Sequence, residues 1–480
     1  MPGYAYDRLS VVDNSFLAIE DPNSHQHVGA VMLFDTGPLR HPEGGIDIDR
    51  VRAYVDARLH LIPRYRQRLA PVPLGTRLVW VDDDHFNIHY HVRHTSLPRP
   101  GDERQLKRLA ARIVSQQLDR AKPLWEMWIV EGLADGRFAL LAKTHHCMID
   151  GISGADLMAV LLSPTADDAI PHAPTWIPRP APSQFALLRD EWIRRLREPL
   201  DALGGAPCAL TAPATLAARA LESVRAVIET LGATMRPASP TPFNRAIGPH
   251  RRFDWTVMDL AAVKAVKDRL GGTVNDVVLA TVAGALRRFF ERRRINADLL
   301  DIRANVPVSL RTAAEHGALG NRIALWMTDL PVSEPDPLRR LEAVRATTAR
   351  LKRSKQAMGA EVLAAVSEWT SSTLLATAVQ LATRSRPFNL VVTNVPGPQI
   401  PLYLLGAPLR ECFPMVNLLV NQGLGVALFS YAGRLCWGCI VDWDLVPDLH
   451  DLIGDLEASF AELEDVAVLV SLASRATSTA

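Results

Sequence analysis

The sequence predicts a mixed α/β (α+β) protein of two lobes with a cleft between them, and three observations predict it. The chain has 480 residues, and 48% of them are hydrophobic, enough to fill two cores. Both halves alternate helix-period stretches with short apolar runs of strand length. Proline-rich breaks separate the halves. They divide the chain into a first lobe over 1–163, a connecting region over 164–249 and a second lobe over 250–480.

Taken in order, Phe16 to Glu20 follow a helical pattern, and Ala30 to Phe34 form an apolar strand. Met127 to Val130 and Phe138 to Ala142 are two more strand-like runs. A helix is expected from Ser153 to Leu162, with Ser153 and Asp156 as a variant capping box. Ser163 to Pro182 carries Pro171, Pro174, Pro178, Pro180 and Pro182 and reads as an exposed linker. Helices are expected over 184–203 and 215–235. The first is amphipathic and basic, with Arg189, Arg194, Arg195 and Arg197. Such a helix either caps or bridges lobes or lies on an anionic surface. The second half predicts helices over 259–270, 276–294, 337–354 and 360–384. Its strand-like runs are 301–310, 322–330, 389–394, 425–430 and 435–442. Asn394-Val395-Pro396-Gly397-Pro398 reads as a turn by composition.

Charge is balanced, with 53 Lys+Arg against 52 Asp+Glu, which excludes a broad nucleic-acid surface. The first residues have no apolar signal core, and no stretch is long and apolar enough to span a membrane. A cytoplasmic location, with peripheral contact at the inner membrane or lipid droplets, is therefore expected. The five cysteines build no disulfide framework. Cys436 and Cys439 have CxxC spacing, but on a strand residues three apart face opposite sides, so neither a metal nor a redox site is expected.

The chemistry concentrates in His145-His146-Cys147-Met148-Ile149-Asp150-Gly151. The strand ends here, a usual place for a side chain that must meet substrate. Only one of two adjacent imidazoles on an extended chain can face a given side. One therefore faces a cleft and the other the protein. A neutral imidazole can take a proton from an alcohol at physiological pH. Asp150, across the turn, is better placed to anchor the loop through an arginine than to join the catalysis. Gly151 leaves backbone freedom and room for substrate. Adjacent histidines diverge and no zinc-type spacing follows, so no metal is expected.

HHxxxDG resembles the active-site motif of CoA-dependent acyltransferases, which include chloramphenicol acetyltransferase and condensation domains. Further matches flank it: Leu9 to Glu20, His27-Val28-Gly29, Leu118 to Glu126 with Pro123-Leu124-Trp125-Glu126, Thr273 to Ala280, Asn305 to Arg311, and Asn394 to Pro398. Together they resemble the bacterial wax ester synthase/acyl-CoA:diacylglycerol acyltransferase family over nearly the whole chain. One departure is His25-Gln26-His27-Val28-Gly29, where the family commonly has Pro-Met-His-Val-Gly.

The resemblance implies two chloramphenicol-acetyltransferase-like lobes with the active site in the cleft or tunnel between them, and transfer of a long-chain acyl group from acyl-CoA to diacylglycerol or a long-chain alcohol. It implies no cofactor, acyl-CoA being a substrate. His146 would be the general base, His145 would orient the loop, and Asp150 would lock it through an arginine, with Arg311 the candidate partner. Asn275 would donate to substrate or oxyanion, although it or Thr273 would equally cap the helix that follows. Glu20, Trp125 and Ser309 are substrate-side candidates. A solvated face for Glu20 and core packing for Trp125 are the plainer readings. His145 and Asp150 also fit the HX4D spacing of glycerolphosphate acyltransferases, against which the second His, the Gly and the chain length argue. An acyltransferase with another acceptor and a non-catalytic lipid-binding or droplet-coating protein are the rival functions.

Overall fold

The computed structural model describes residues 6–73, 78–148, 154–193, 237–309, 323–353 and 386–478. In chain order the first half gives β1 (Tyr6–Arg8), α1 (Val11–Ile19), β2 (His27–Asp35), α2 (Ile48–Arg58), β3 (Gln67–Pro71), β4 (Leu78–Asp82), α3 (Ile88–His91), β5 (Val92–Ser96), α4 (Glu103–Val114), β6 (Trp125–Glu131), β7 (Arg137–His145) and α5 (Gly154–Leu161). Residues 164–183 are largely without regular structure, and α6 covers 184–193. The second half gives β8 (Arg251–Asp259), α7 (Leu260–Leu270), α8 (Val274–Arg292), β9 (Ile302–Ser309), β10 (Ile323–Leu330), α9 (Pro337–Arg353) and β11 (Leu390–Pro396). It closes with β12 (Tyr403–Leu404), β13 (Ala407–Met415), β14 (Leu424–Tyr431), β15 (Arg434–Asp442) and α10 (Leu449–Ser478).

Two six-stranded mixed sheets carry the fold. The first has the order β12-β13-β2-β7-β6-β5, antiparallel except for the parallel β5–β6 edge. The second has the order β10-β9-β11-β14-β15-β8, with β11 parallel to both neighbours. The mixed α/β expectation holds. The sequence did not announce β13. This strand of the second half crosses over and pairs with β2 of the first, from Leu409 opposite Phe34 to Met415 opposite Gly29.

Side-chain alternation explains why β7 is apolar without a break. Phe138, Leu140 and Ala142 face one core with α2, whereas Ala139 and Leu141 face another. That second core contains Leu106 and Ile113 of α4, Trp255 of β8, Phe413 of β13 and Cys436 of β15, so it joins the halves. A third core packs the far face of the second sheet under α7, α8, α9 and α10. Gly29 permits the close approach of β2 to β7. A Cβ there would lie 2.2 Å from the carbonyl oxygen of Ala142.

One sequence reading changes. Asn394 to Pro396 are not a turn but the end of β11, paired in register with Leu428 to Ser430. Proline is tolerated there because, among the described residues, β9 pairs with β11 only at Leu390 and Val391, so Pro396 stands on an edge. The helices expected over 215–235 and 360–384 lie outside the described residues. Cys436 and Cys439 do point to opposite cores, and among the described residues Cys147, Cys412, Cys436 and Cys439 are free thiols.

Candidate active site

The histidine pair is placed by backbone hydrogen bonds from both sides. The His145 amide donates to the Leu124 carbonyl at 2.9 Å, and the His146 amide to the Gln26 carbonyl at 2.7 Å. The chain then tightens into a short 3-10 turn over His146–Met148. This turn ends the strand and splits the two imidazoles, as alternation requires.

His145 is turned inward and buried. Its Nδ1 accepts from the Cys147 amide at 3.2 Å and lies 2.9 Å from the Cys147 thiol. Nδ1 is thereby an acceptor, which leaves the proton on Nε2. Nε2 faces the Glu20 carboxylate at 3.7 Å. Glu20 closes the α1 end over this cluster with a side chain only 1% exposed, 3.8 Å from both His25 and His27. Arg120 pairs with the same carboxylate and donates to the Leu17 carbonyl at 3.0 Å, satisfying the last turn of α1. Burial alone would raise the Glu20 carboxyl. Contacts with His145 and Arg120 outweigh it and hold the group at about 2. Burial, then the charges of Lys143 and His145, keep His27 well below the usual histidine range, so it is neutral.

His146 is turned the other way. Its half-buried ring stacks on Phe16 of α1, centroids 4.0 Å apart and planes at 26°. Its Nδ1 is buried without a hydrogen-bond partner. Burial, reinforced by His145, lowers its pKa to about 4. At neutral pH the pair therefore presents one uncharged imidazole against Phe16, with the other clamped behind it. That arrangement can accept a proton from a hydroxyl. Cys147 is buried and its thiol is pushed up well above its ordinary range by burial, which opposes a nucleophile role.

The architecture agrees with a comparison across known proteins. A family model for the wax ester synthase/diacylglycerol acyltransferase catalytic domain matches residues 9–278, and one for the WS/DGAT C-terminal domain matches 319–464. The chain belongs to the wax ester synthase/diacylglycerol acyltransferase family. A putative diacylglycerol O-acyltransferase of Mycobacterium tuberculosis is 34% identical, over 96% of this chain and 91% of the relative. A probable diacylglycerol O-acyltransferase of the same organism is 35% identical, over 95% and 99%. Among solved structures, the wax ester synthase/diacylglycerol acyltransferase from Marinobacter aquaeolei VT8 superposes with TM-score 0.68 at 27% identity, covering 96% of this chain and 99% of that one. The first condensation domain of the calcium-dependent antibiotic synthetase matches at TM-score 0.55 and 15% identity, covering 96% of each chain, a likeness of fold alone.

Within this family fold the remaining candidates separate. Asp150, Gly151 and Arg311 lie outside the described residues, and so does the pairing expected between Asp150 and Arg311. Ser309 is the last residue of β9, opposite Ile323. Asn275 is a half-buried residue in the first turn of α8, but it is not the cap. The Thr273 hydroxyl accepts from the Asp276 amide at 3.2 Å, and the Asp276 carboxylate accepts from the Thr273 amide at 2.7 Å. Trp125 lies in the core at 1% exposure. Its indole donates to the Tyr65 carbonyl at 2.8 Å, and its ring stacks on His91 with centroids 4.4 Å apart. The side chains of Trp125 and Glu20 are both closed to solvent in the structure, Trp125 with its indole spent on Tyr65 and Glu20 with Oε2 paired to Arg120 and Oε1 without a hydrogen-bond partner.

Sequence reasoning missed the roles of Phe16, Gln26, His27 and Arg120. His27 and Arg120 stand in motif segments that the resemblance had marked, but spacing gave no sign that they converge on Glu20. Among the described residues no group of three or more His, Cys, Asp or Glu side chains is arranged to hold a metal.

Proposed function

We propose that the chain transfers a long-chain acyl group from acyl-CoA to the hydroxyl of diacylglycerol or a long-chain alcohol, with His146 as general base. The carrying observation is the division of labour in the pair: His145 is engaged by Glu20 and Cys147, and His146 is left neutral against Phe16. With Nδ1 closed off, Nε2 is the nitrogen that meets the acceptor hydroxyl. His146 takes that proton as the oxygen attacks the thioester carbonyl. The tetrahedral intermediate collapses with cleavage of the C–S bond, and the imidazolium returns the proton to the CoA thiolate. The products are an ester and free CoA.

Asn275 or backbone amides steady the oxyanion in this reading, and Asp150 with an arginine, Arg311 by preference, fixes the loop. No cofactor enters the reaction as written. The acceptor is insoluble in water, so the enzyme works at a lipid surface, from the membrane or a droplet. Among the described residues no helix is long and apolar enough to cross a membrane, which suits contact from one side.

The test is CoA release from palmitoyl-CoA with dioleoylglycerol or hexadecanol, wild type against His146→Ala. Acceptor-dependent release should fall by at least ~100-fold in the variant. Release that survives the substitution would remove His146 from the chemistry.

A further inference from the structure

The C-terminal helix α10 changes character along its length. From Leu449 to Ala467 it is an ordinary amphipathic helix. Leu449, Leu452, Ile453, Leu456, Phe460, Leu463 and Ala467 recur at helical spacing and lie in the core of the second lobe. Asp451, Asp455, Glu457, Glu462, Glu464 and Asp465 serve the other faces. After Asp465 the pattern stops. The next charged residue is Arg475, and the intervening nine residues are Val-Ala-Val-Leu-Val-Ser-Leu-Ala-Ser. The face that would normally be charged is apolar and bare: Val468 is 48% exposed, Leu469 64%, Val470 39% and Leu472 57%.

We propose that this tip, residues 466–474, inserts into the surface of the lipid phase that holds the acyl acceptor. The proposal rests on the lipid-substrate reading above and names the element that makes the contact. The exposed area favours lipid over a protein partner. The four side chains expose only a few hundred Å², well short of the roughly 800 Å² that each partner contributes to a stable interface. Nine helical residues rise about 14 Å, less than half of a ~30 Å hydrocarbon core. The tip therefore enters one leaflet or a droplet monolayer without crossing it.

The test is flotation of the full chain with phosphatidylcholine vesicles containing dioleoylglycerol, comparing wild type with the Leu469→Glu/Leu472→Glu double variant. The variant should lose at least ~10-fold of its bound fraction while its thermal unfolding midpoint stays put, because both side chains are exposed in the folded protein. Acyl transfer to a short, water-soluble alcohol should be unchanged, which separates this contact from the catalytic reading. A chain that floats but transfers no acyl group would sink the catalytic reading and support this one. Equal flotation of both proteins would overturn the proposal. So would loss of flotation on replacing Phe185 and Trp192, the exposed apolar residues of α6, with the tip intact. A wild-type dimer that the double variant cannot form would assign the tip to a second copy instead.

Discussion

At the scale of single residues, the site depends on one buried carboxylate. Glu20 faces three imidazoles and one guanidinium, and its contacts hold it ionised against the cost of burial. A carboxyl whose folded pKa is depressed from 4.5 to about 2 stabilises the fold fully above pH 4.5, and that stability is lost as pH falls toward 2. Discounted for partial solvation, the contribution is on the order of 2 kcal/mol. Glu20→Gln should lower stability by that amount near neutral pH in urea titrations and lower acyl transfer with it. An unchanged midpoint would remove Glu20 from the clamp. His146 and His91, both lowered to about 4 chiefly by burial, have the opposite charge type but the same sign of dependence. They are neutral when folded and gain protons more readily when unfolded. Their contribution is complete above 6.5 and is lost as pH falls toward 4. His146→Ala should flatten the loss of stability across that window, and an equally steep profile in the variant would contradict the assignment.

At the scale of elements, β7 carries more than the histidines. Lys143, fully buried, sits two residues before His145. It donates to the Ile113 and Gln116 carbonyls at 3.1 and 3.0 Å, closing the C-terminal end of α4, and lies 3.6 Å from Glu126 of β6. Glu126 in turn holds Trp128 and Arg93. Removing the ammonium leaves helix carbonyls unsatisfied and a buried carboxylate short of one partner. Lys143→Met should cost about 3 kcal/mol, read by chemical denaturation. A loss below ~1 kcal/mol would show that the site relaxes or admits water. The sequence revealed the apolar run of β7 but not this lysine's direction, because a charge inside a buried strand conflicts with the local pattern and is satisfied only by groups distant in sequence.

At the scale of the whole molecule, the halves are tied by a strand and a core rather than by a linker alone. β13 covers the edge of β2, and Trp255, Phe413 and Cys436 pack against α4 and β7. A fragment of residues 1–250 would leave the β2 edge and an apolar face uncovered. It should aggregate when produced alone and become soluble when produced together with 251–480. A soluble monomer of 1–250 with cooperative unfolding would show that β13 is dispensable. The Cβ-free approach at Gly29, opposite Met415 on one side and Lys143 on the other, belongs to this same three-strand junction.

The sequence by itself determined many of the elements and the family. Periodicity located β7, β9, β10, β14, β15 and the long helix α8 to within a few residues, because each buries a regular pattern of side chains. Alternation along a strand already required His145 and His146 to face apart, and opposed Cys436 and Cys439. What only the tertiary structure decided was which groups meet. Glu20, His27, Arg120 and His145 are spread over more than a hundred residues, and their convergence follows from strand order. The crossover of β13 and the inward turn of Trp125 are likewise pairings between distant segments. Local propensity and spacing carry no information about them, because the energy that selects them comes from burial and satisfied polar groups across the fold.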